Sequence, residues 1–506
     1  MRAITWAGVW WVGGLLLAFA GANIHDPYMT PVKGWSLSLI VVAGLCGLLV
    51  LRRRGFGRRP ALVLLWLAVP LCTVGAEAVF QIRKVQVLAM REPLAVDLGR
   101  HFIVGYRRVE EVEALAARGL IGGVFVSRHN LAGRTAEALR DEIGHLQEIR
   151  RRAGLPPLVV AADQEGGIVS RLSPWLPHRS APAALAGLPP GERRAAARAL
   201  GRAHGRDLQS IGVTVNLAPV LDLRRDHPPD PLDFHSLIAQ RAISDDPEVV
   251  AEVAAAYAGG VTDGGVRPTA KHFPGLGRAQ SDTHHFRAVI GDPREVLEAT
   301  DWLPFRRVLA ADPHTLLMVG HAIVAAVDPD RPASHSRRLI DGVIRRDWGF
   351  DGLIVTDDMV MTPVYQYGLC RAVVEALNAG VDLLLFALDG SQFYRAMACA
   401  VDAGKHGRLD QAMLAASDRR LLADDVGVPR AAASSASPPA LRSGGLGHLA
   451  RPQVDGTHPV GPLRGERPAG IFRRQFADRV ELHDLVVAQF LEVETFRGGQ
   501  RTRFPA

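Results

Sequence analysis

The sequence predicts an α/β fold, a (β/α)8 barrel preceded by about three transmembrane helices and followed by a partly disordered tail. Three observations carry this. Short apolar runs alternate with amphipathic stretches eight times between residues 97 and 410. Three uncharged apolar stretches occupy the first 80 residues, and 429–470 is rich in Ala, Ser, Pro, Gly and Arg. The expected organisation is an anchor over 1–80 (helices 3–24, 34–51 and 60–80), a linker over 81–96 and a barrel over 97–425. A disordered linker over 426–470 and a short segment over 471–506 complete it.

Each anchor stretch has roughly the 17–25 residues a helix needs to cross a bilayer. A signal peptide is the alternative for the first, but two further apolar stretches follow it. Arg52, Arg53, Arg54, Arg58 and Arg59 lie between the second and third stretches, whereas the loop at 25–33 has Lys33 alone. The positive-inside rule puts the arginines in the cytoplasm and everything after the third stretch outside. The expected location is a multi-pass membrane protein with an extracytoplasmic barrel. Arg83, Lys84 and Arg91 on the outer flank oppose this, and two spans instead of three would reverse it.

The eight strand candidates are 101–106, 122–127, 157–163, 213–220, 266–273, 315–322, 353–359 and 381–388. Nearly continuous β-branched and aliphatic runs suit strands buried on both faces of a parallel sheet. Helical stretches fall at 108–118, 131–153, 191–209, 246–260, 294–310 and 336–347; Asp246-Pro247 supplies a cap and an early proline before the fourth. A doubly wound sheet would also alternate in this way, but no glycine-rich dinucleotide fingerprint follows the first strand.

The positive charge of the chain sits at its two ends. Of 59 Lys+Arg and 52 Asp+Glu, residues 1–94 hold 10 and 3 and residues 426–506 hold 11 and 7. That leaves 38 and 42 in the middle, a charge of −4. Nucleic acid is therefore not an expected partner of the barrel. The four cysteines, Cys46, Cys72, Cys370 and Cys399, have no metal-ligand spacing and read as small buried hydrophobes.

A barrel of this kind carries its chemistry where strands end at their C-termini. Asp163 and Glu165 end the third run, Lys271 and His272 the fifth, His321 the sixth, and Asp357 and Asp358 the seventh. Adjacent residues on an extended chain point to opposite sides, so one of Asp357 and Asp358 faces the pocket and the other the rim. A carboxylate held against Lys271 or Arg241 would stay ionised and could attack an electrophilic carbon. Asp282 and His284 follow a Gly/Pro-rich stretch, and an Asp-x-His pair can fix and charge an imidazole for acid/base work. A solvated polar loop is the bland reading of that pair. Zinc on His272, Asp282, His284 and His285 lacks a recognised spacing, so no metal or cofactor is expected.

The run KHFPG-x-G (271–277) with a downstream D-x-H resembles the β-N-acetylglucosaminidases of glycoside hydrolase family 3. DQEGG-x-V-x-R, V-N-L-A-P-V-x-D, PASHS (332–336) and GFDGLIVTDDM (349–359) fit that family in the same order, over about 97–410. The resemblance implies a (β/α)8 barrel with Asp357 as nucleophile, His284 as general acid/base and Asp282 orienting it. It also implies that Asp163, Arg171, Arg241, Lys271 and His272 bind sugar hydroxyls; the segment around Arg241 matches only loosely. Leu276 stands where many relatives have histidine, which touches loop packing or leaving-group preference rather than the dyad. The implied partner is an N-acetylglucosamine-containing glycan, a muropeptide or peptidoglycan in an outward-facing enzyme. β-Glucosidase or β-xylosidase activity and a catalytically silent sugar-binding barrel are the other readings. The residues after 410 are too few for the second domain from which β-glucosidases of the family usually draw an acid.

Overall fold

The computed structural model describes residues 2–27, 29, 33–53, 59–225, 237–279, 286–423 and 427. Eight parallel strands form the centre: β1 Phe102–Gly105, β2 Gly123–Val126, β3 Val159–Ala162, β4 Val215–Asn216, β5 Arg267–Phe273, β6 Leu316–Val319, β7 Ile354–Thr356 and β8 Leu384–Phe386. Each pairs with the next from β1 to β7, and β8 pairs with β1 through Phe102↔Leu384. The ring closes between β7 and β8 on one bridge, Val355↔Leu383. All eight expected runs are strands of this barrel.

Strand alternation divides the core in two. Ile103, Phe125, Val159, Ala161, Val215, Leu316, Met318, Val355 and Leu385 point inward and fill the barrel. Their neighbours, among them Phe102, Val104, Val124, Val160, Ile354 and Phe386, point outward into a larger shell under the helices. That shell includes α5 Ala136–Arg152, α6 Pro190–Gln209, α7 Pro247–Asp263, α8 Leu303–Ala311, α9 Leu369–Ala379, α10 Phe393–Lys405 and α11 Gln411–Ala423. The start signal expected before α7 is present: the Asp246 carboxylate accepts from the Glu248 N–H at 2.8 Å, with Pro247 at the first helical position.

The N-terminal helices are α1 Arg2–Ala22, α2 Lys33–Arg53 and α3 Pro60–Ala89. Among the described residues, two helices, Trp35–Arg53 and Pro60–Ala89, are long and apolar enough to cross a membrane, and Gly8–Ala22 is a shorter apolar helix. Glycines set their register. Gly14 and Gly21 of α1 lie against Trp66 and Thr73 of α3, so these two run parallel. Gly44 and Gly47 of α2 lie against Pro70 and Trp66, so α2 runs antiparallel to them. Trp10 and Trp66 meet with ring centroids 5.0 Å apart, and the Trp66 indole N–H donates to the Trp10 carbonyl.

Three expectations need correction. The segment 81–96 is not a linker for most of its length: α3 continues to Ala89, and α4 Pro93–Gly99 follows at once. Leaving an apolar run does not end a helix when no Gly or Pro intervenes. Cys370 and Cys399 are joined in a disulfide, because α9 and α10 pack side by side with the two Cα atoms 5.3 Å apart. Cys46 and Cys72 are exposed on the outer faces of α2 and α3 rather than buried. The segments expected at 426–470 and 471–506 lie, apart from Gly427, outside the described residues.

Candidate active site

The chain turns sharply after β3. Gln164–Gly166 and Val169–Ser170 form a small hairpin, with Gly166 at φ +89°. A Cβ there would sit 2.4 Å from the Ser180 carbonyl oxygen, so only glycine fits. Asn216, at the end of β4, clamps the hairpin from behind: its amide accepts from Gln164 N and donates to Gln164 O, both at 3.0 Å. Asp163 and Glu165 are thereby held side by side at the mouth.

Their partners come from β5 and a short helix. Lys271 Nζ lies 2.7 Å from Asp163 Oδ1 and 2.6 Å from Glu165 Oε1. Arg241, ending the helix Ile238–Arg241, grips Glu165 with both arms, Nε to Oε2 at 2.9 Å and Nη2 to Oε1 at 2.6 Å. Burial alone would raise the Glu165 carboxyl, but Arg241 and Lys271 outweigh it and hold the group well below the usual carboxylate range. Burial would likewise lower the Lys271 ammonium, yet Asp163 and Glu165 keep it raised. The four groups form one charged cluster under the mouth.

His272 joins it. Its Nδ1 is 2.7 Å from Asp222 Oδ2, and its Nε2 is 3.3 Å from Arg241 Nη2. Asp222 is fully buried, and its other oxygen accepts from the Leu276 N–H at 2.6 Å. The Leu276 side chain is buried, so the departure from histidine occupies a packed position beside this turn.

Across the mouth, Asp357 follows β7 and is partly exposed. Its Oδ1 accepts from the Asp358 N–H at 2.8 Å, and its own N–H donates to Val319 O at 2.9 Å. Asp358 serves the rim: its carboxylate accepts from Val360, Ala387 and Leu388 N–H groups at 3.2, 3.0 and 2.8 Å. Burial pushes the Asp358 carboxyl up to about 7, with those three donors pulling the other way and Asp357 adding to the rise. The Asp358 carbonyl in turn accepts from His321 Nε2 at 3.0 Å. His321 Nδ1 accepts from the Ser334 hydroxyl at 2.7 Å, and Ser334 Oγ accepts from His335 Nδ1 at 3.0 Å. Burial lowers His335 to about 3, so its imidazole is neutral.

Of the sequence-expected residues, Asp163, Lys271, Arg241 and His272 meet in one network. Arg171 is tied to it through its backbone, its N–H donating to the Asp163 carbonyl at 3.1 Å. The carboxylates held against Lys271 and Arg241 are Asp163 and Glu165, not Asp357: Asp357 ends a strand on the other side of the barrel. Asp282 and His284 lie outside the described residues, as does His285. Glu165, expected at the mouth, and Asp222 and Asn216 complete the network in roles that the sequence alone does not assign. Glu165 was visible as a charge closing an apolar run, but nothing in a linear pattern names its partners. Among the described residues no group of three or more His, Cys, Asp or Glu could hold a metal ion. A cavity of about 1020 Å3 lies at the opposite end of the barrel, against Trp348, Phe350 and Leu353 before β7, and carries none of these residues.

Residues 77–423 match the Glycosyl hydrolase family 3 N terminal domain. A beta-hexosaminidase of Alkalilimnicola ehrlichii is 34% identical over 287 residues, covering 56% of this chain and 78% of its own length. The beta-hexosaminidase LpqI of Mycobacterium tuberculosis is 32% identical over 303 residues, covering 57% and 72%. Among solved structures, a glycoside hydrolase family 3 β-N-acetylglucosaminidase from Paenibacillus superposes with a TM-score of 0.61 at 28% identity. That match covers 67% of this chain and 64%, just under two thirds, of the neighbour. M. tuberculosis LpqI superposes with a TM-score of 0.58 at 27% identity, covering 69% and 97%. With a family match over most of its length and the motif residues gathered at one end of its barrel, the chain belongs to glycoside hydrolase family 3.

Proposed function

We propose that this chain is a membrane-tethered, retaining β-N-acetylhexosaminidase that removes terminal β-linked N-acetylglucosamine from cell-wall glycan. The observation that carries the reading is the buried Asp163–Lys271–Glu165–Arg241–His272–Asp222 network, built at one side of the mouth with Asp357 at the other. The names of the relatives support the sugar.

A rigid, charge-compensated set of donors and acceptors suits the hydroxyls of one terminal sugar, because the groups are ordered before substrate arrives. Asp163, Arg171, Arg241, Lys271 and His272 are the groups assigned to it; Glu165 and Asp222 orient them. In the first step Asp357 attacks the anomeric carbon while protonated His284 gives its proton to the departing oxygen, leaving a covalent glycosyl-enzyme. Neutral His284 then takes a proton from water, which displaces Asp357 and releases the sugar with retained configuration. Asp282 favours the protonated imidazole of the first step. A histidine base also avoids a second negative charge beside the nucleophile.

The topology reading is three spans with the barrel outside. The parallel packing of α1 and α3 supports it, as does the pair His25–Glu77 at 2.9 Å, which ties the loop after α1 to α3 just past its apolar run. Arg52, Arg53 and Arg59 at the opposite end are the cytoplasmic charges. A reporter fused at residue 95 and active only in the cytoplasm would contradict it.

The activity is tested with aryl glycosides. Wild type should turn over aryl β-N-acetylglucosaminide well above the matched glucoside. His284→Ala should lose most of its rate on a poor leaving group and much less on an activated one. Equal losses on both would remove the acid role.

A further inference from the structure

Helix α3 serves two parts of the molecule, and the order in which it meets them fixes which way the barrel points. Where α3 leaves the apolar helices, Thr73 packs on Gly21, and Glu77 pairs with His25. One turn on, Phe80 stacks on the His25 ring at 4.1 Å between centroids and meets Tyr394 edge-on at 5.9 Å. Lys84 Nζ then lies 5.7 Å from the Tyr394 ring centroid. Beyond the end of α3, Glu92 pairs with Lys405 at 2.7 Å.

Tyr394 is in the first turn of α10, directly after β8, and Lys405 is its last residue. A helix that follows a barrel strand begins at the C-terminal rim, the end that carries the candidate site, and finishes at the back. Followed away from the apolar helices, α3 therefore reaches the catalytic rim first and the back of the barrel second. Phe80 lies four residues beyond Ala76, where the uncharged run ends, which is about 6 Å of helix rise. That distance is comparable to the headgroup layer, roughly 5–8 Å on each side of the hydrocarbon core.

The rim is also tied to the first loop. Gln392 Nε2 donates to the His25 carbonyl, three residues past the end of α1. The Tyr365 hydroxyl donates to Gln392 Oε1, and Tyr365 lies in the helix Thr362–Tyr367 that follows Asp357 and Asp358. Leu388, whose N–H is held by Asp358, presents an apolar side chain on this rim with 62% exposure.

We propose that the barrel opens toward the bilayer and that its substrate is a glycan carried on membrane lipid, ending in β-linked N-acetylglucosamine. The substrate half rests on the glycosidase reading above; the orientation half does not. A glycan held at the membrane reaches such a mouth by diffusion in two dimensions at high effective concentration. The same glycan free in solution must enter between rim and headgroups.

The test uses the full chain in liposomes. In a Cys46→Ser, Cys72→Ser background, a fluorophore is placed at Leu388→Cys or at His406→Cys, an exposed position at the end of α10. Spin-labelled headgroups should quench the Leu388 label several-fold more than the His406 label; equal or reversed quenching would overturn the orientation. Wild type should then hydrolyse a glycolipid ending in β-N-acetylglucosamine with a kcat/KM at least tenfold above that for the identical free glycan. Turnover of aryl N-acetylglucosaminide without that preference would overturn the substrate claim. Absence of aryl turnover would overturn the glycosidase reading and the substrate claim together, with the quenching result still deciding orientation.

Discussion

The two sides of the barrel mouth are built by different forces. At the ends of β3, β4 and β5, charged side chains hold one another: Lys271 and Arg241 clamp Asp163 and Glu165, and Asp222 holds His272. At the ends of β7 and β8, backbone N–H groups converge on the Asp358 carboxylate, and His321 braces its carbonyl. The first side orders polar atoms for binding and tolerates no change in charge. The second fixes a short segment in space while leaving Asp357 partly open. A site that must grip one sugar and also form and break a bond to it benefits from both.

Isosteric substitutions should affect the two sides differently. Asp357→Asn should lower kcat for aryl N-acetylglucosaminide by roughly 10^4-fold or more, as removal of a nucleophile does elsewhere, with stability retained. Glu165→Gln should differ by lowering stability as well as activity. It leaves Lys271 and Arg241 buried with half their compensation, so a loss of about 3–5 kcal/mol is expected in denaturant unfolding. If Glu165→Gln were as stable as wild type, the charged cluster would not be what holds that side together.

Asp358→Asn comes next. An amide puts an NH2 donor where the Asp358 carboxyl group offers its second acceptor oxygen, so a loss of about 1–3 kcal/mol is expected, with kcat falling more than KM changes because Asp357 loses its placement. A pH profile separates this from the charged side. Asp358 ionises near 7 in the folded chain and near 4 unfolded, so between those values the folded state holds the extra proton. Its contribution must therefore fall as pH rises from about 4 to 7. Glu165 behaves oppositely. Its depressed carboxyl contributes stability above the unfolded pKa, about 4, and loses it as the pH falls further. Denaturation midpoints of wild type and Asp358→Asn across pH 4–7 should converge toward pH 7. The smallest expected effect is Ser334→Ala, about 0.5–1.5 kcal/mol for the lost hydrogen bond to His321.

Much of the barrel was legible because strands buried on both faces announce themselves as unbroken apolar runs. The helices were legible where capping residues preceded an apolar period, as at Asp246-Pro247. The site was legible as a set of polar residues closing those runs, and the motifs assigned roles to most of them. What stayed hidden is pairing. Glu165 and Arg241 are 76 residues apart, and Asp222 and His272 are 50 apart. The fold brings each pair together, and no local period records it. Cys370 and Cys399 were unreadable for the same reason, being joined only because α9 and α10 pack together. The full length of α3 is not legible from apolarity, because the helix continues through Glu77, Gln81 and Lys84, which are good helix formers.

The central claim, a covalent intermediate on Asp357, is tested most directly by trapping it. An activated 5-fluoro derivative of N-acetylglucosaminyl fluoride slows the second step, and mass spectrometry of the digested protein locates the sugar. One sugar per chain is expected, on the peptide containing Asp357, appearing as activity is lost. A sugar on Asp163, Glu165 or Asp358, or turnover with no trapped adduct on Asp357, would contradict it.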